Sequence, residues 1–238
     1  MEHHNILYAF THIDLMGQFI LVICVIGSTL SWAVVLTKYR LFKKNRQMNR
    51  VFRQHYDEKG QDVNQFLKNA MWKHWQDAAL PRIYQKIARE AQLLLTEPGV
   101  DAVSVRSSTA LGSKLTVLDI ETLEKMAERE ISSEVVYMQT GLNFLAMTSS
   151  TGPLLGLLGT VWGIMKTFVD MSQKGSASIM TVAPGVSEAL VTTIVGLVVA
   201  IPAQIFLNSF SFRIHNFGIE MQNFVSEFIS DIERVCSL

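Results

Sequence analysis

The strongest constraint on the fold is a set of three long segments that carry no charged side chain. Residues 15–37, 135–165 and 189–212 contain no Asp, Glu, Lys or Arg. A helix needs about 20 apolar residues to cross the hydrocarbon core of a bilayer. The sequence therefore predicts three transmembrane helices, which we place at 15–37, 135–168 and 183–212.

Basic residues around the first of these segments indicate its direction. No Lys or Arg precedes it, whereas residues 38–53 are rich in both and contain no acid. Because Lys and Arg accumulate on the cytoplasmic side of a membrane, we expect a short periplasmic N-terminus at 1–14. Alternation then places 38–134 in the cytoplasm, a loop at 169–182 in the periplasm, and a C-terminal helix at 213–238 in the cytoplasm.

The parts outside the membrane show helical periodicity, with apolar residues at steps of three and four. Pro81 is expected to separate two helical pieces, and the turn signal EPG marks residues 97–99. The fold class that follows is an all-α integral membrane protein. Its second and third transmembrane helices are expected to continue into the cytoplasm as long packed helices. The helical periodicity outside the predicted membrane segments occurs in four stretches, at 63–71, 84–91, 118–138 and 217–235.

Composition and motifs argue against several classes of function. The net charge is zero, so no nucleic-acid partner is expected. Cys24 and Cys236 cannot build a disulfide framework or a metal site, and His3, His4 and His12 are assigned to a solvated tail. No nucleotide-binding loop, GxSxG elbow or HExxH helix is present. We therefore expect no enzyme, no metal and no cofactor, and ion flow becomes the expected energy source.

The second transmembrane segment carries a stripe of small residues at alternating steps of three and four. Such stripes let two helix backbones approach closely in lipid, which predicts a helix-packing role for them. Pro153 in this segment and Pro202 in the third each remove a backbone hydrogen bond, so a kink is expected at both. The stripe consists of Ser149, Gly152, Gly156, Gly159 and Gly163.

The third segment carries polar or small residues at every fourth position, beginning with Glu188. A polar stripe in a membrane helix faces protein or water, since lipid cannot form hydrogen bonds with it. Two interpretations of Glu188 remain open. If Pro184 is the first helical residue, Glu188 is a first-turn acid that the helix dipole favours. If the helix begins earlier, Glu188 lies about 10 Å along it, near the level of Thr160. The stripe is Glu188, Thr192, Gly196, Ala200, Gln204 and Asn208.

Two stretches, PLLGLLGTVWGIMKTF at 153–168 and APGVSEALVTTIVGLVVAIPA at 183–203, resemble the TolQ/ExbB/MotA proton-channel family, and its TolQ branch most closely. The resemblance implies a lipid-embedded subunit of the bacterial inner membrane that assembles as a homopentamer around a pore. It also implies partners: TolR, whose transmembrane helix occupies the pore, then TolA and the lipoprotein Pal. The implied output is outer-membrane integrity and constriction at cell division, driven by the proton-motive force.

The family motif assigns the proton pathway to Thr160, Glu188 and Thr193. The family commonly has alanine at the position of Thr192, which is a second candidate for the pore lining. Lys166 matches no role that we can assign. Two rival hypotheses remain: an ExbB-type subunit that energises TonB-dependent transport, and a non-conducting structural membrane scaffold.

Overall fold

The computed structural model describes residues 14–59, 78–96, 116–174 and 179–236, and every element among them is helical. The prediction of an all-α membrane protein is confirmed. The helical pattern at 63–71, the turn at 97–99 and the three N-terminal histidines lie outside the described residues. The helices are α1 Leu15–Lys59, α2 Ala79–Thr96, α3 Val117–Gln139, α4 Leu142–Lys174 and α5 Ile179–Cys236.

Helices α1, α4 and α5 are long and apolar enough to cross a membrane. Helix α5 has 58 residues, which corresponds to about 87 Å of helix, nearly three times the roughly 30 Å of a hydrocarbon core. Helix α1 has 45 residues, so the first segment is extended as well. The apolar periodicity indicates such an extension only for the second and third transmembrane helices.

The extension of α1 follows from a buried seam at alternating steps of three and four residues. Phe42, Asn45, Asn49, Phe52 and Tyr56 are each at most 3% exposed. This spacing keeps one side of a helix against its neighbours. Two of the five residues are asparagines, which explains why the seam is hard to detect from apolar residues alone.

A two-residue turn separates α3 from α4. Gly141 has φ 84°, a left-handed conformation that glycine adopts without steric cost. The expected continuation of the second transmembrane helix is thus a separate helix, α3, which ends at Gln139 before α4 begins at Leu142. Pro81 lies in the first turn of α2, where a missing N–H leaves no helical hydrogen bond unmade.

The chain divides into two compact units, of which the first comprises 1–38 and 140–211. In this unit α1 and α4 run antiparallel. The Ser31 hydroxyl donates to Thr148 Oγ1 at 3.1 Å, and the rings of Trp32 and Phe206 lie 5.6 Å apart, joining α1 to α5. Many large apolar side chains on this unit are exposed, as expected of helices that lie in lipid.

The second unit comprises 39–139 and 212–238, and its core is aromatic. Within this cluster, ring centroids lie 4.6 Å apart for Tyr84 and Phe228 and 5.5 Å apart for Phe52 and Phe224. Burial and a 2.8 Å hydrogen bond to Asp231 raise the pKa of the Tyr56 hydroxyl. The core rings are Phe52, Tyr56, Tyr84, Phe224 and Phe228, all at most 3% exposed.

Candidate functional site

The backbones of α4 and α5 are in close contact along the glycine stripe of α4. A Cβ atom added at Gly163 would lie 2.7 Å from Cβ of Ala189, and one at Gly196 would lie 2.5 Å from the carbonyl oxygen of Gly152. Because carbon atoms pack at about 3.5–4.0 Å, neither position has space for a side chain. The facing pairs are Gly152 with Gly196 and Ala200, Gly156 with Thr193, Gly159 with Thr192, and Gly163 with Ala189.

Two hydroxyl groups of α5 lie at the centre of this contact. Thr193 Oγ1 donates to the carbonyl oxygen of Gly156 at 2.8 Å. Thr192 is 2% exposed, and its hydroxyl lies 2.7 Å from the carbonyl of Ala189 and 3.3 Å from that of Gly156. Within this chain Thr192 is therefore packed between the two helices. Thr193 lies beside it and is half-buried.

Glu188 lies well inside α5, because the helix begins at Ile179. That is nine residues before Glu188, or about 14 Å along the axis. The interpretation with Pro184 as the first helical residue is therefore wrong. The apolar residues Ile179 and Met180 extend the helix by more than a turn before Pro184, and the first turn contains no acid. Glu188 is half-buried.

The facing pairs also set the level of Glu188 against α4. Ala189 faces Gly163, so Glu188 lies near the level of Gly163 along the axis. Thr160 lies three residues nearer the N-terminus of α4, or about 4.5 Å along its axis. It is 9% exposed, and its hydroxyl donates to the Leu157 carbonyl at 2.7 Å. The two side chains are thus roughly one helical turn apart along the axis.

An ion pair joins the start of α1 to the C-terminal end of α4. Lys166 Nζ lies 2.6 Å from Asp14 Oδ1, and Trp162 Nε1 donates to Asp14 Oδ2 at 3.2 Å. The bond from Lys166 lowers the pKa of the Asp14 carboxyl. The charge of Lys166 also interacts with those of Asp170 and Glu188. The charge of Lys166 is therefore linked to three acids, one of which is Glu188.

The C-terminal half of the stripe on α5 is more open than its centre. Gln204 and Asn208 are exposed, and Gln204 Nε2 donates to Asn208 Oδ1 at 3.1 Å. Pro153 and Pro202 both lie inside helices. Pro202 and Ser31 line a small cavity between α1 and α5. No cluster of three metal-binding side chains occurs among the described residues.

A family model for the MotA/TolQ/ExbB proton channels matches residues 101–223, which is a little more than half of the chain. The chain belongs to this family. The match includes Thr160, Glu188 and Thr193 together with the α4–α5 contact, so the close packing described above lies within the family region. Asp14 lies outside that region.

Among curated relatives, two TolQ proteins match this family member over nearly its whole length. The Tol-Pal system protein TolQ of Pseudomonas aeruginosa is 28% identical over 98% of the chain and 95% of its own length. That of Haemophilus influenzae is 27% identical over 97% of the chain and 94% of its own length. The biopolymer transport protein ExbB of Salmonella typhimurium is 28% identical over 87% of the chain and 78% of its own length.

Asp14 and Trp162 were missed as site residues, and Lys166 had no role. For Asp14, the sequence did contain a signal. Asp14 directly precedes the first apolar segment, and Lys166 is a charge near the end of the second. Antiparallel neighbours place such ends together, so their opposite charges could have been paired. Trp162 gave no comparable signal, because a tryptophan at a membrane boundary is ordinary.

Proposed function

We propose that this chain is the proton-channel subunit of a Tol-Pal system in the inner membrane of a Gram-negative bacterium. In this proposal it converts the proton-motive force into mechanical work and catalyses no chemical reaction. Each proton that crosses 100 mV releases about 2.3 kcal/mol. This energy source suits a family member whose polar groups lie inside apolar helices.

The observation that carries the Tol-Pal assignment is the coverage of the two TolQ proteins. They match 97–98% of the chain and 94–95% of their own lengths, against 87% and 78% for the Salmonella ExbB. Identity is nearly equal, at 27–28% in all three. Coverage of both termini, including the first membrane helix, therefore favours the Tol-Pal assignment.

In the proposed mechanism Glu188 takes up and releases the transported proton. A carboxylate is costly at membrane depth, and protonation removes that cost. Thr160 and Thr193 supply hydroxyls near the path, and hydroxyls both donate and accept hydrogen bonds. The bond from Thr193 to the Gly156 carbonyl fixes the rotation of α5 against α4, so Thr193 would also hold Glu188 in position.

The assembly is proposed as a homopentamer with its N-termini in the periplasm and its C-termini in the cytoplasm. Its pore encloses the single-span partner TolR, and proton flow through it drives TolA toward Pal. The output is outer-membrane integrity and constriction during division. The lipid-facing surface is formed by the exposed apolar side chains of α1, α4 and α5.

The test is proton flux into proteoliposomes that contain the chain together with its TolR-type and TolA-type partners. Glu188→Gln keeps shape and hydrogen bonding but cannot ionise, so flux should fall at least tenfold while the complex still assembles. The matched control is Glu220→Gln, an exposed acid further along α5, which should leave flux unchanged. Thr160→Ser should retain most of the flux, and Thr160→Val should lose it.

Complementation separates the rival hypotheses. The gene should restore detergent resistance to cells that lack TolQ, and Glu188→Gln should not. Rescue of TonB-dependent uptake in cells that lack ExbB, without rescue of detergent resistance, would assign the chain to the ExbB branch. Full barrier function in the Glu188→Gln strain would instead favour a non-conducting scaffold.

A further inference from the structure

The outer charge cluster of the first unit has no role in the function proposed above. It consists of Asp14 at the start of α1, with Trp162, Lys166 and Asp170 on α4. Two polar atoms of α4 donate to the Asp14 carboxylate: Lys166 Nζ lies 2.6 Å from Oδ1, and Trp162 Nε1 lies 3.2 Å from Oδ2. A salt bridge with a second donor on the same carboxylate is held in one geometry rather than loosely solvated.

The helix contacts bring this cluster next to Glu188. Gly163 and Thr167 of α4 touch Ala189 and Gly185 of α5. In sequence, Lys166 lies between Gly163 and Thr167. Glu188 lies between Gly185 and Ala189. Side chains that flank one close backbone contact are neighbours, and the charges of Lys166 and Glu188 do interact. These contacts place the Lys166 ammonium beside Glu188, and Lys166 is in turn paired with Asp14 at the start of α1 and interacts with the charge of Asp170 on α4.

We propose that Lys166, held in place by Asp14, is a positioning residue that sets the pH at which Glu188 exchanges protons with the outer side. This inference rests on the proposed function, since it concerns the same pathway. Asp14 anchors the ammonium group so that its positive charge stays beside the entrance. The start of the first membrane helix thereby becomes part of the proton entrance.

The physical reason is electrostatic. A positive charge near a carboxyl group favours the ionised form of that group. Lys166 is 46% exposed at its side chain, so solvent screens part of the effect. We expect Lys166→Gln to move the outer pH of half-maximal proton flux upward by about 0.5–1 unit. Lys166→Arg keeps the charge and should keep the midpoint within about 0.2 units of wild type.

A charge exchange separates the electrostatic role from a merely structural one. The double variant Asp14→Lys with Lys166→Asp preserves an ion pair between α1 and α4 but reverses the sign beside Glu188. If the pair only ties the helices together, this variant should behave like wild type. Under the proposal its midpoint moves upward by more than that of Lys166→Gln. The experiment uses the complete complex in proteoliposomes, with flux recorded from about pH 5 to pH 9.

The remote control is Lys125→Gln, which removes an exposed lysine paired with Glu121 on α3 and should not shift the midpoint. An unchanged midpoint in Lys166→Gln and in the double variant, with wild-type flux present, overturns this inference and leaves the channel intact. Absence of flux in wild type overturns the proposed function instead. If Lys166→Gln fails to assemble, the assembled Lys166→Arg and double variants decide, because each keeps an ion pair between positions 14 and 166.

Discussion

Exchanging Gly163 and Ala189 between α4 and α5 tests whether the backbones of these helices are in contact at the proposed site. The exchange moves one methyl group from α5 to α4. Gly163 and Ala189 face each other, and a Cβ atom at Gly163 would lie 2.7 Å from that of Ala189. This is about 1 Å short of a carbon–carbon contact. The single change Gly163→Ala must therefore push the helices apart or bend them.

The magnitude follows from the contact. Overpacking in a well-packed interior costs about 1–3 kcal/mol, and the better helix propensity of alanine returns up to about 1 kcal/mol. We expect Gly163→Ala to lose about 1–2 kcal/mol of unfolding free energy. Ala189→Gly loses about 1 kcal/mol of propensity, plus the packing of a residue that is 3% exposed.

The double variant Gly163→Ala with Ala189→Gly restores the fit, since one methyl again occupies the contact. Its Cβ at position 163 would meet Cα of residue 189 at 3.3 Å, which requires a shift of only a few tenths of an ångström. We expect the exchange to cost less than about 1 kcal/mol, so that the double-mutant cycle yields a coupling of about 1–3 kcal/mol.

The assay is SDS-induced unfolding of the complex in detergent, followed by circular dichroism. Gly218→Ala on α5 is the control, because its added Cβ would meet Val135 Cγ2 at an ordinary 3.5 Å. That variant should be neutral or slightly more stable. If Gly163→Ala costs nothing, or if the two changes simply add, the close α4–α5 contact does not form as described.

Three further predictions concern Glu134, Asn49 and Thr193. Burial raises the pKa of Glu134 despite Arg82 at 2.7 Å. The carboxyl group therefore stabilises the fold fully below the pKa that it has in the unfolded chain, and this contribution is lost as the pH rises through the pKa that it has in the folded protein. The stability advantage of wild type over Glu134→Gln, measured by thermal unfolding, should therefore shrink from about pH 4 to pH 8; an advantage that grows would contradict this. Both amide atoms of Asn49 are buried without a hydrogen-bond partner among the described residues, so Asn49→Leu should raise the unfolding free energy by about 1 kcal/mol in denaturant titrations, whereas a loss would show that the amide is satisfied. Thr193→Val removes the bond to the Gly156 carbonyl and should cost about 1 kcal/mol in the SDS assay, while Thr193→Ser should cost clearly less; equal losses would show that the methyl group, not the hydroxyl, is what packs.

Periodicity predicted the class of fold because long apolar segments and helical spacing are the main signals in the sequence of a helical membrane protein. The glycines of α4 could be placed on one face from their spacing, but their partners could not. Spacing on one helix contains no information about the register of the next. That register separates Glu188 from Thr160 by roughly one helical turn, where counting from the ends of the apolar segments had made them level.

The polar contacts were less predictable. Asn45 and Asn49 interrupt the apolar pattern of α1 while they occupy its buried seam, so periodicity in apolar residues understated the length of this helix. The pair of Asp14 with Lys166 joins residues 152 positions apart. The sequence places both charges at the ends of apolar segments, but only the contact between α1 and α4 shows that they pair.

The tight α4–α5 contact also restricts where a proton path can run. With Thr192 at 2% exposure and glycine backbones in contact, the seam between these helices has no space for water. A path past Glu188 must then follow the half-buried side of α5, where Glu188 and Thr193 are accessible. Under the proposed function, the transmembrane helix of the partner completes the path on that side, so the chain reconstituted alone should conduct far fewer protons than the chain with its partner, and equal flux would refute this argument.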